Sequence, residues 1–378
     1  MKELLAEAEH RQQEHLEFLQ QMVNMESPTD DKSLVDKFVR FIAQRFEQIG
    51  GCVSLTPTRG FGDHLTVNFK GTGERPIMLL GHSDTVFPTG EVAKRPFRIK
   101  GDLATGPGVF DMKAGIAVMW TAIQCVQKVR GKLPNPLTVL ITSDEEIGGA
   151  SSQNLIESEA RQARAVLVLE PSLPGGALKT ARKGVGRFTI KSIGRASHAG
   201  INPSEGVNSI EEIAHQILSL KSIVNEQRGT TLTVGMIRGG TRPNVVPSES
   251  AIEVDARITS MDEARRITSS IHNLKPLLPG SKLEIRGKIS RPPMERTSEI
   301  VQLFELAQSI ARDVGRELKE GSTGGASDGN FTAALGIPTL DGLGPVGMGA
   351  HQIDEYIEID QLPWRTALVA GLIERIVI

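Results

Sequence analysis

The chain reads as an α/β protein whose central sheet is covered on both faces, interrupted by a smaller α+β domain. Three observations lead there. Short apolar runs at 76–81, 137–143 and 165–169 lack polar alternation, as strands sandwiched between helices do. From about 180 to 290 the strands alternate instead, as in Ile252, Val254, Ala256 and Ile258, the mark of one buried and one wet face. A length of 378 residues also exceeds what one core usually serves, which favours two domains.

Taken in order, residues 3–23 and 30–49 have helical apolar spacing. In the second helix Leu34, Val35, Phe38, Val39, Ile42 and Phe46 share one face, Thr29 or Asp30 can cap the start, and Gly50 with Gly51 closes it. Strands are expected at 51–56, 64–69 and 76–80. A long Gly/Pro-rich connection spans 87–110, of the kind that is either functional or disordered. A helix at about 112–128 and strands ending at Thr142 and Leu169 follow. The alternating region reads strand 185–193, helix 206–222, strands 231–237 and 250–258, helix 261–275 and strand 282–289. That β-α-β-β-α-β order suggests a ferredoxin-like insertion. The α/β character then resumes with a helix at 297–315, a strand at 337–341 and a closing helix near 360–377. The division expected is 1–179 with 291–378 for the larger domain and 180–290 for the insertion.

Hydrophobic residues at 39% and charged residues at 23% are the proportions of an ordinary globular protein. A net charge of −2 presents no basic surface, so neither nucleic acid nor an anionic membrane is expected as a partner. No run of eighteen apolar residues is visible, so no membrane span is expected. The N-terminus is charged and helical rather than basic and then apolar, which leads us to expect a cytoplasmic protein. Cys52 and Cys125, with no CxxC, fit a reducing compartment and a packing role.

Each of the three buried runs ends in a potential metal ligand. The first reaches His82 and Asp84, the second Asp144, Glu145 and Glu146, and the third Glu170. In open α/β sheets ligands bind beyond the carboxyl ends of the strands, so these groups share one rim. His82 is either an ordinary loop histidine or a ligand whose second nitrogen is fixed by Asp84. Asp111, where the long loop meets a helix, is either an N-cap or a carboxylate able to bridge two cations. The acidic run at 144–146 is either a solvated turn or a set of groups relieved by a cation. Glu170 and His351 are singly unremarkable. Together, two imidazoles and three carboxylates suit two zinc ions in N/O coordination.

At these residues the chain resembles the dinuclear-zinc aminoacylase/carboxypeptidase family of metallopeptidases. The resemblance runs from about residue 10 to the C-terminus and rests on GHSDTVFP, GPGVFDMKAG, SDEEIGG, LEPS, GRASHAG, RPNVVP, TGGASDGNF and GAHQIDEY. Within the family the likeness points to the glutamate carboxypeptidases of the carboxypeptidase G type, which carry Glu, as at Glu170, where many relatives carry Asp. The resemblance implies a zinc-peptidase catalytic domain, with a central mixed sheet flanked by helices and an inserted dimerisation or lid domain. It implies two Zn²⁺ per subunit, with Co²⁺ or Mn²⁺ as substitutes. Asp111 would bridge, Glu146 and His351 would hold one ion, and His82 and Glu170 the other. Asp84 would orient His82, Glu145 would be the general base, and a cis peptide is expected at Asp111–Met112.

The resemblance also implies hydrolysis of an amide bond, releasing a C-terminal amino acid such as glutamate from an N-acyl or peptidyl substrate. An aminoacylase or deacetylase on the same centre is the alternative. His198 would donate to the tetrahedral oxyanion, in trans across a homodimer built through the insertion. Asn244, Arg257 and Arg291 are the candidates for binding a substrate carboxylate, since a guanidinium fork suits that group. The loop with Gly324 and Gly325 can offer backbone N–H groups to the same carboxylate. Lys183 departs from the small residue expected at its position.

Overall fold

The computed structural model describes residues 1–376. It divides into two units, one of Met1–Ala181, Arg296–Thr323 and the chain from Ser327, the other of Arg182–Glu295 with Gly324–Ala326. These boundaries differ from the sequence reading by a few residues, for identifiable reasons. Met294 bridges to Arg182, and Arg182 and Arg257 donate to the carbonyls of Gly325 and Gly324 at 3.2 and 3.3 Å, which draws both short segments into the second unit.

The first unit is built on a six-stranded mixed sheet in the order Cys52–Thr56, His64–Phe69, Leu137–Thr142, Ile77–His82, Ala165–Val168, Thr339–Leu340. The first three strands run antiparallel in succession, and the last four are mutually parallel. The central three, Leu137–Thr142, Ile77–His82 and Ala165–Val168, are buried along their whole length, as their unbroken apolar composition predicts. Because they are parallel, their carboxyl ends lie on one edge.

The helix Ala114–Arg130 packs into the same core, and every residue from Ala114 to Val126 is buried. With the turn before it, Val109–Arg130 is long and apolar enough by length and composition to cross a membrane, although polar residues interrupt it. Most of that stretch is buried inside the unit, as the core helix of a globular domain is.

Several local expectations change. The segment 3–23 is two helices, Lys2–His10 and Gln12–Val23, broken at Arg11. The cap of Lys32–Gln48 is Asp31, whose side chain accepts the Leu34 N–H at 3.1 Å. Thr29 does not cap; its hydroxyl donates to Asp84 Oδ2 at 2.8 Å. The 87–110 connection contains the helical turn Glu91–Lys94 and the strands Arg98–Lys100 and Leu103–Thr105. Those strands join Tyr356–Glu358 and Gly347–Met348 in a second sheet. At three residues each, and largely exposed, they carry no readable periodicity. Cys125 is buried as expected, whereas Cys52 is exposed on the edge strand. The closing helix is Leu362–Arg375, and position 377 of the expected helix lies outside the described residues.

The second unit has the β-α-β-β-α-β order. Its antiparallel sheet runs Thr231–Gly239, Glu249–Ile258, Gly184–Ile193, Lys282–Arg291, with Ser209–Ile223 and Met261–His272 as the helices. This is the ferredoxin-like arrangement. Alternate residues Ile252, Val254, Ala256 and Ile258 are buried, and they pack with Ile213, Leu220, Ile267 and Ile271 from the helices. Asn208 and Ser260 cap those helices through their side chains.

Candidate metal centre

His82 is the last residue of its strand and is almost wholly buried. Its Nδ1 lies 2.9 Å from the Asp84 carbonyl oxygen and 3.4 Å from Asp84 Oδ1. Its Nε2 is thereby aimed at two carboxylates, 3.1 Å from Asp111 Oδ1 and 3.5 Å from Glu170 Oε1. The buried Asp84 carboxylate also accepts the Glu145 N–H on Oδ1 at 3.3 Å and the Glu146 N–H on Oδ2 at 3.2 Å. One side chain thus orients the imidazole and fixes the turn that carries the acidic pair.

Asp111 does not cap the helix that follows; no side chain caps Ala114–Arg130. Its carboxylate lies between two imidazoles instead, with Oδ2 3.4 Å from His351 Nε2. The Asp111–Met112 peptide is cis. Gly115 lets the helix start close against the strand that delivers Glu170: a Cβ there would sit 2.0 Å from the Leu169 carbonyl oxygen.

The loop bearing Asp111 is held by Glu355, a fully buried carboxylate. Glu355 accepts the N–H of Gly108 at 2.5 Å, of Phe110 at 3.1 Å and of Asp111 at 3.5 Å. Lys113 is buried beside it, donating to the Met25 carbonyl at 2.8 Å and lying 5.0 Å from the Phe38 ring centre. Burial pulls the Lys113 ammonium down to about 7, opposed by the Glu355 and Glu26 carboxylates. Sequence reasoning missed both residues. The signal was that each lies inside a quoted motif, within a few residues of a candidate ligand.

Glu145 and Glu146 begin a single 3₁₀ turn, Glu145–Ile147, which sends them to different partners. Glu146 Oε2 lies 3.0 Å from His351 Nε2. His351 stands at φ 65°, a left-handed conformation unusual outside glycine and of the sort that clusters at functional sites. Two ligand triads result, His82 with Glu145 and Glu170, and His82 with Asp111 and Glu146. Within each triad the candidate atoms lie within 4.8 Å of one another.

Charge explains what the arrangement calls for. Five carboxylates, Asp84, Asp111, Glu145, Glu146 and Glu170, surround two imidazoles. Burial disfavours a charge on His82, yet its hydrogen bonds to Asp111, Asp84 and Glu170 outweigh it and hold the imidazolium form well above its usual range. Hydrogen bonds to Asp111 and Glu146 push His351 up to about 10. Burial opposes ionisation of Asp111, but His351 and His82 hold that carboxyl well below the ordinary range, while burial raises Glu146. So dense a set of carboxylates around two imidazoles has the charge that a bound divalent cation offsets. The donors are all nitrogen and oxygen, with no thiolate, which fits zinc, cobalt or manganese.

The remaining candidates belong to the second unit. His198 ends the short strand Ser197–His198, which pairs with Val245–Val246, and the Ala199 N–H donates to the Asn244 carbonyl at 3.0 Å. His198 and Asn244 are therefore neighbours. The exposed His198 ring accepts the Gly200 N–H on Nδ1 at 3.1 Å. In the neutral ring that leaves the proton on Nε2. Arg257 is already engaged by Asp255, at 2.7 and 3.2 Å. Arg291 is buried where its strand meets Val185. Gly324 and Gly325 accept hydrogen bonds from Arg257 and Arg182 on their carbonyl oxygens.

Comparison with known proteins places this geometry in a family. The family model described as Peptidase family M20/M25/M40 matches residues 78–375. The chain belongs to this family. Carboxypeptidase G2 of Pseudomonas sp. (strain RS-16) is 29% identical over 362 residues, covering 94% of this chain and 87% of the relative. A succinyl-diaminopimelate desuccinylase of Dechloromonas aromatica (strain RCB) is 30% identical over 329 residues, covering 81% and 85%. Among solved structures, aminopeptidase PepT from Bacillus cereus ATCC 10987 superposes with a TM-score of 0.80 at 23% identity, over 96% of this chain and 98% of that one. The chain is a hydrolytic metallopeptidase or amidohydrolase of the M20 type, and the family is metal-dependent.

Proposed function

We propose that the protein hydrolyses the amide bond of an N-acyl or peptidyl amino acid and releases the C-terminal residue, glutamate foremost. The observation that carries this reading is the Glu145–Ile147 turn. It holds one carboxylate against His351 and the next within 4.8 Å of His82 and Glu170, with both N–H groups locked by Asp84. A structural metal site needs only the first kind of group.

Two zinc ions, or cobalt or manganese in their place, suit the donors: His82 and Glu170 would hold one, Glu146 and His351 the other, and Asp111 would bridge. When bound, such ions acidify a water molecule and polarise the scissile carbonyl. Glu145 accepts the water proton and returns it to the departing amine. Asp84 keeps His82 in one tautomer and Glu145 in place. His198, protonated on Nε2, donates to the oxyanion, from the partner subunit of a homodimer in our reading. Asn244, Arg291 and the part of Arg257 not taken by Asp255 bind the carboxylate of the amino acid that leaves, with Gly324 and Gly325 beside them.

A second reading, hydrolysis of N-acetyl or N-succinyl amino acids, is favoured by the likeness to a desuccinylase. Comparing zinc-loaded protein on N-benzoyl-glutamate and on N-acetyl and N-succinyl amino acids separates the two. A tenfold preference for benzoyl-glutamate supports the carboxypeptidase reading, and the reverse preference supports the other.

A further inference from the structure

Arg365, on the closing helix Leu362–Arg375, is the largest side chain among the described residues that is shut off from solvent entirely. Its guanidinium meets three carbonyl oxygens. Nε donates to Gly344 at 2.8 Å, Nη1 donates to Gly176 at 2.9 Å, and Nη2 donates to Gly342. Burial pulls the group down to about 9, which leaves it charged at neutral pH. No carboxylate pairs with it among the described residues; three carbonyl dipoles are its counter-charge. Burying a charge without an opposite one is expensive, and an apolar side chain of similar volume would fill the space at less cost. Packing alone therefore does not account for an arginine here.

The three carbonyls belong to two segments that flank Glu170. Gly176 ends the stretch of chain that leaves Glu170. Gly342 and Gly344 belong to the stretch 342–346, which lies along the main chain of Glu170. The Leu343 N–H donates to the Val168 carbonyl at 3.1 Å, and the Gly344 N–H to the Glu170 carbonyl at 2.9 Å. Ser172 closes the contact, its N–H and its hydroxyl both donating to the Pro345 carbonyl, at 3.0 and 3.1 Å. The approach is close: a Cβ at Gly344 would run into the carbonyl oxygens of Leu169 and Glu170. From there the chain passes through the strand Gly347–Met348 to His351.

We propose that Arg365 is a positioning residue of the metal centre. Its guanidinium clamps the stretch 342–346 onto the main chain of Glu170, and so aligns Glu170 with His351, one ligand of each ion. The proposal rests on the dinuclear reading above. A planar fork of N–H donors spans three carbonyls in fixed directions, which a lysine ammonium on its flexible stem does not do.

The test titrates cobalt(II) against a competing chelator and records the visible absorption of the bound ions, for wild type, Arg365→Lys, Gly344→Ala and Leu368→Ala. Gly344→Ala lifts the stretch off Glu170 with the arginine intact. Leu368→Ala is the control: a buried apolar residue of the same helix, whose truncation weakens the core without removing a hydrogen bond. We expect Arg365→Lys and Gly344→Ala to weaken both ions about tenfold or more and to alter the cobalt spectrum. Leu368→Ala should lower the melting temperature but leave affinity within about twofold and the spectrum unchanged. Wild-type affinity and spectrum in Arg365→Lys, a loss confined to one ion, or an equal loss in Leu368→Ala overturns the proposal. Should Arg365→Lys not fold, Gly344→Ala decides on the same terms. If the wild type binds fewer than two ions, the dinuclear reading fails on its own. Nitrogen NMR of histidine-labelled, metal-free chains then decides Arg365. A His351 resonance that moves in Arg365→Lys and not in Leu368→Ala upholds the role, and any other pattern overturns it.

Discussion

Asp84 Oδ1 accepts the backbone N–H of Glu145 at 3.3 Å while standing 3.4 Å from the imidazole of His82. A carboxylate can accept from both sides; an amide cannot. In Asp84→Asn one oxygen becomes an NH₂ group, and neither rotamer satisfies the ring and both turn N–H groups together. We expect metal affinity to fall about 10–100-fold, the usual loss when a group behind a ligand is removed. Titration against a chelator of known affinity measures it.

Glu145→Gln preserves the turn, since the Asp84 contacts are to backbone, but removes the proton acceptor. Turnover should drop about 10²–10⁴-fold with metal content unchanged by elemental analysis. A variant retaining more than a tenth of wild-type rate would remove Glu145 from the base role.

His198→Ala removes the donor assigned to the oxyanion, a group commonly worth about 10²–10³ in rate. If donation crosses a dimer, mixing His198→Ala with Glu145→Gln chains restores one intact site per heterodimer. No regained activity in mixtures verified to exchange subunits would confine His198 to its own chain.

Glu355→Gln leaves N–H donors of Gly108, Phe110 and Asp111 facing an amide that supplies one acceptor instead of two. Loss of a buried partner costs about 1–3 kcal/mol. Because Glu355 sits behind Asp111 and not behind Glu170, the expected signature is a drop in bound metal per chain together with a lower melting temperature. Glu355→Asp should recover part of both.

His15 gives the pH dependence of stability. It is fully buried, its Nδ1 is 3.0 Å from Thr121 Oγ1, and its Nε2 has no hydrogen-bond partner among the described residues. Burial pulls its imidazole down to about 4. Below its unfolded value the unfolded chain therefore binds a proton that the native chain refuses. The contribution is nil above about pH 6.5 and grows as pH falls towards 4, reaching a loss of about 3 kcal/mol. Urea unfolding of wild type and His15→Gln at pH 7 and pH 4.5 should show a smaller difference between the two pH values in the variant.

Much of this was legible because burial leaves a periodic trace. Runs such as 137–142 and alternations such as Ile252 to Ile258 record which faces are covered, and strand ends locate His82, Glu146 and Glu170. Short exposed strands such as Arg98–Lys100 leave no such trace, since nothing in them is periodic. Nor do side chains whose work is done through backbone groups. Glu355 and Lys113 are one acid and one base among many until the loop they hold is folded. Thr29 looked like a helix cap because its chemistry suits that task equally well; only the tertiary fold brings it to Asp84.

That contact bears on how much of the polypeptide the chemistry depends upon. The matched family region begins at residue 78, and every candidate ligand lies after it. Thr29 nonetheless bonds Asp84, the Thr85 N–H donates to the Ser27 carbonyl at 2.8 Å, and the Thr29 N–H returns to the Thr85 carbonyl at 3.2 Å. The stretch before residue 78 is a brace clipped behind the histidine. A fragment keeping all the ligands but shorn of its first seventy residues would own the parts of the centre without the frame that aligns them.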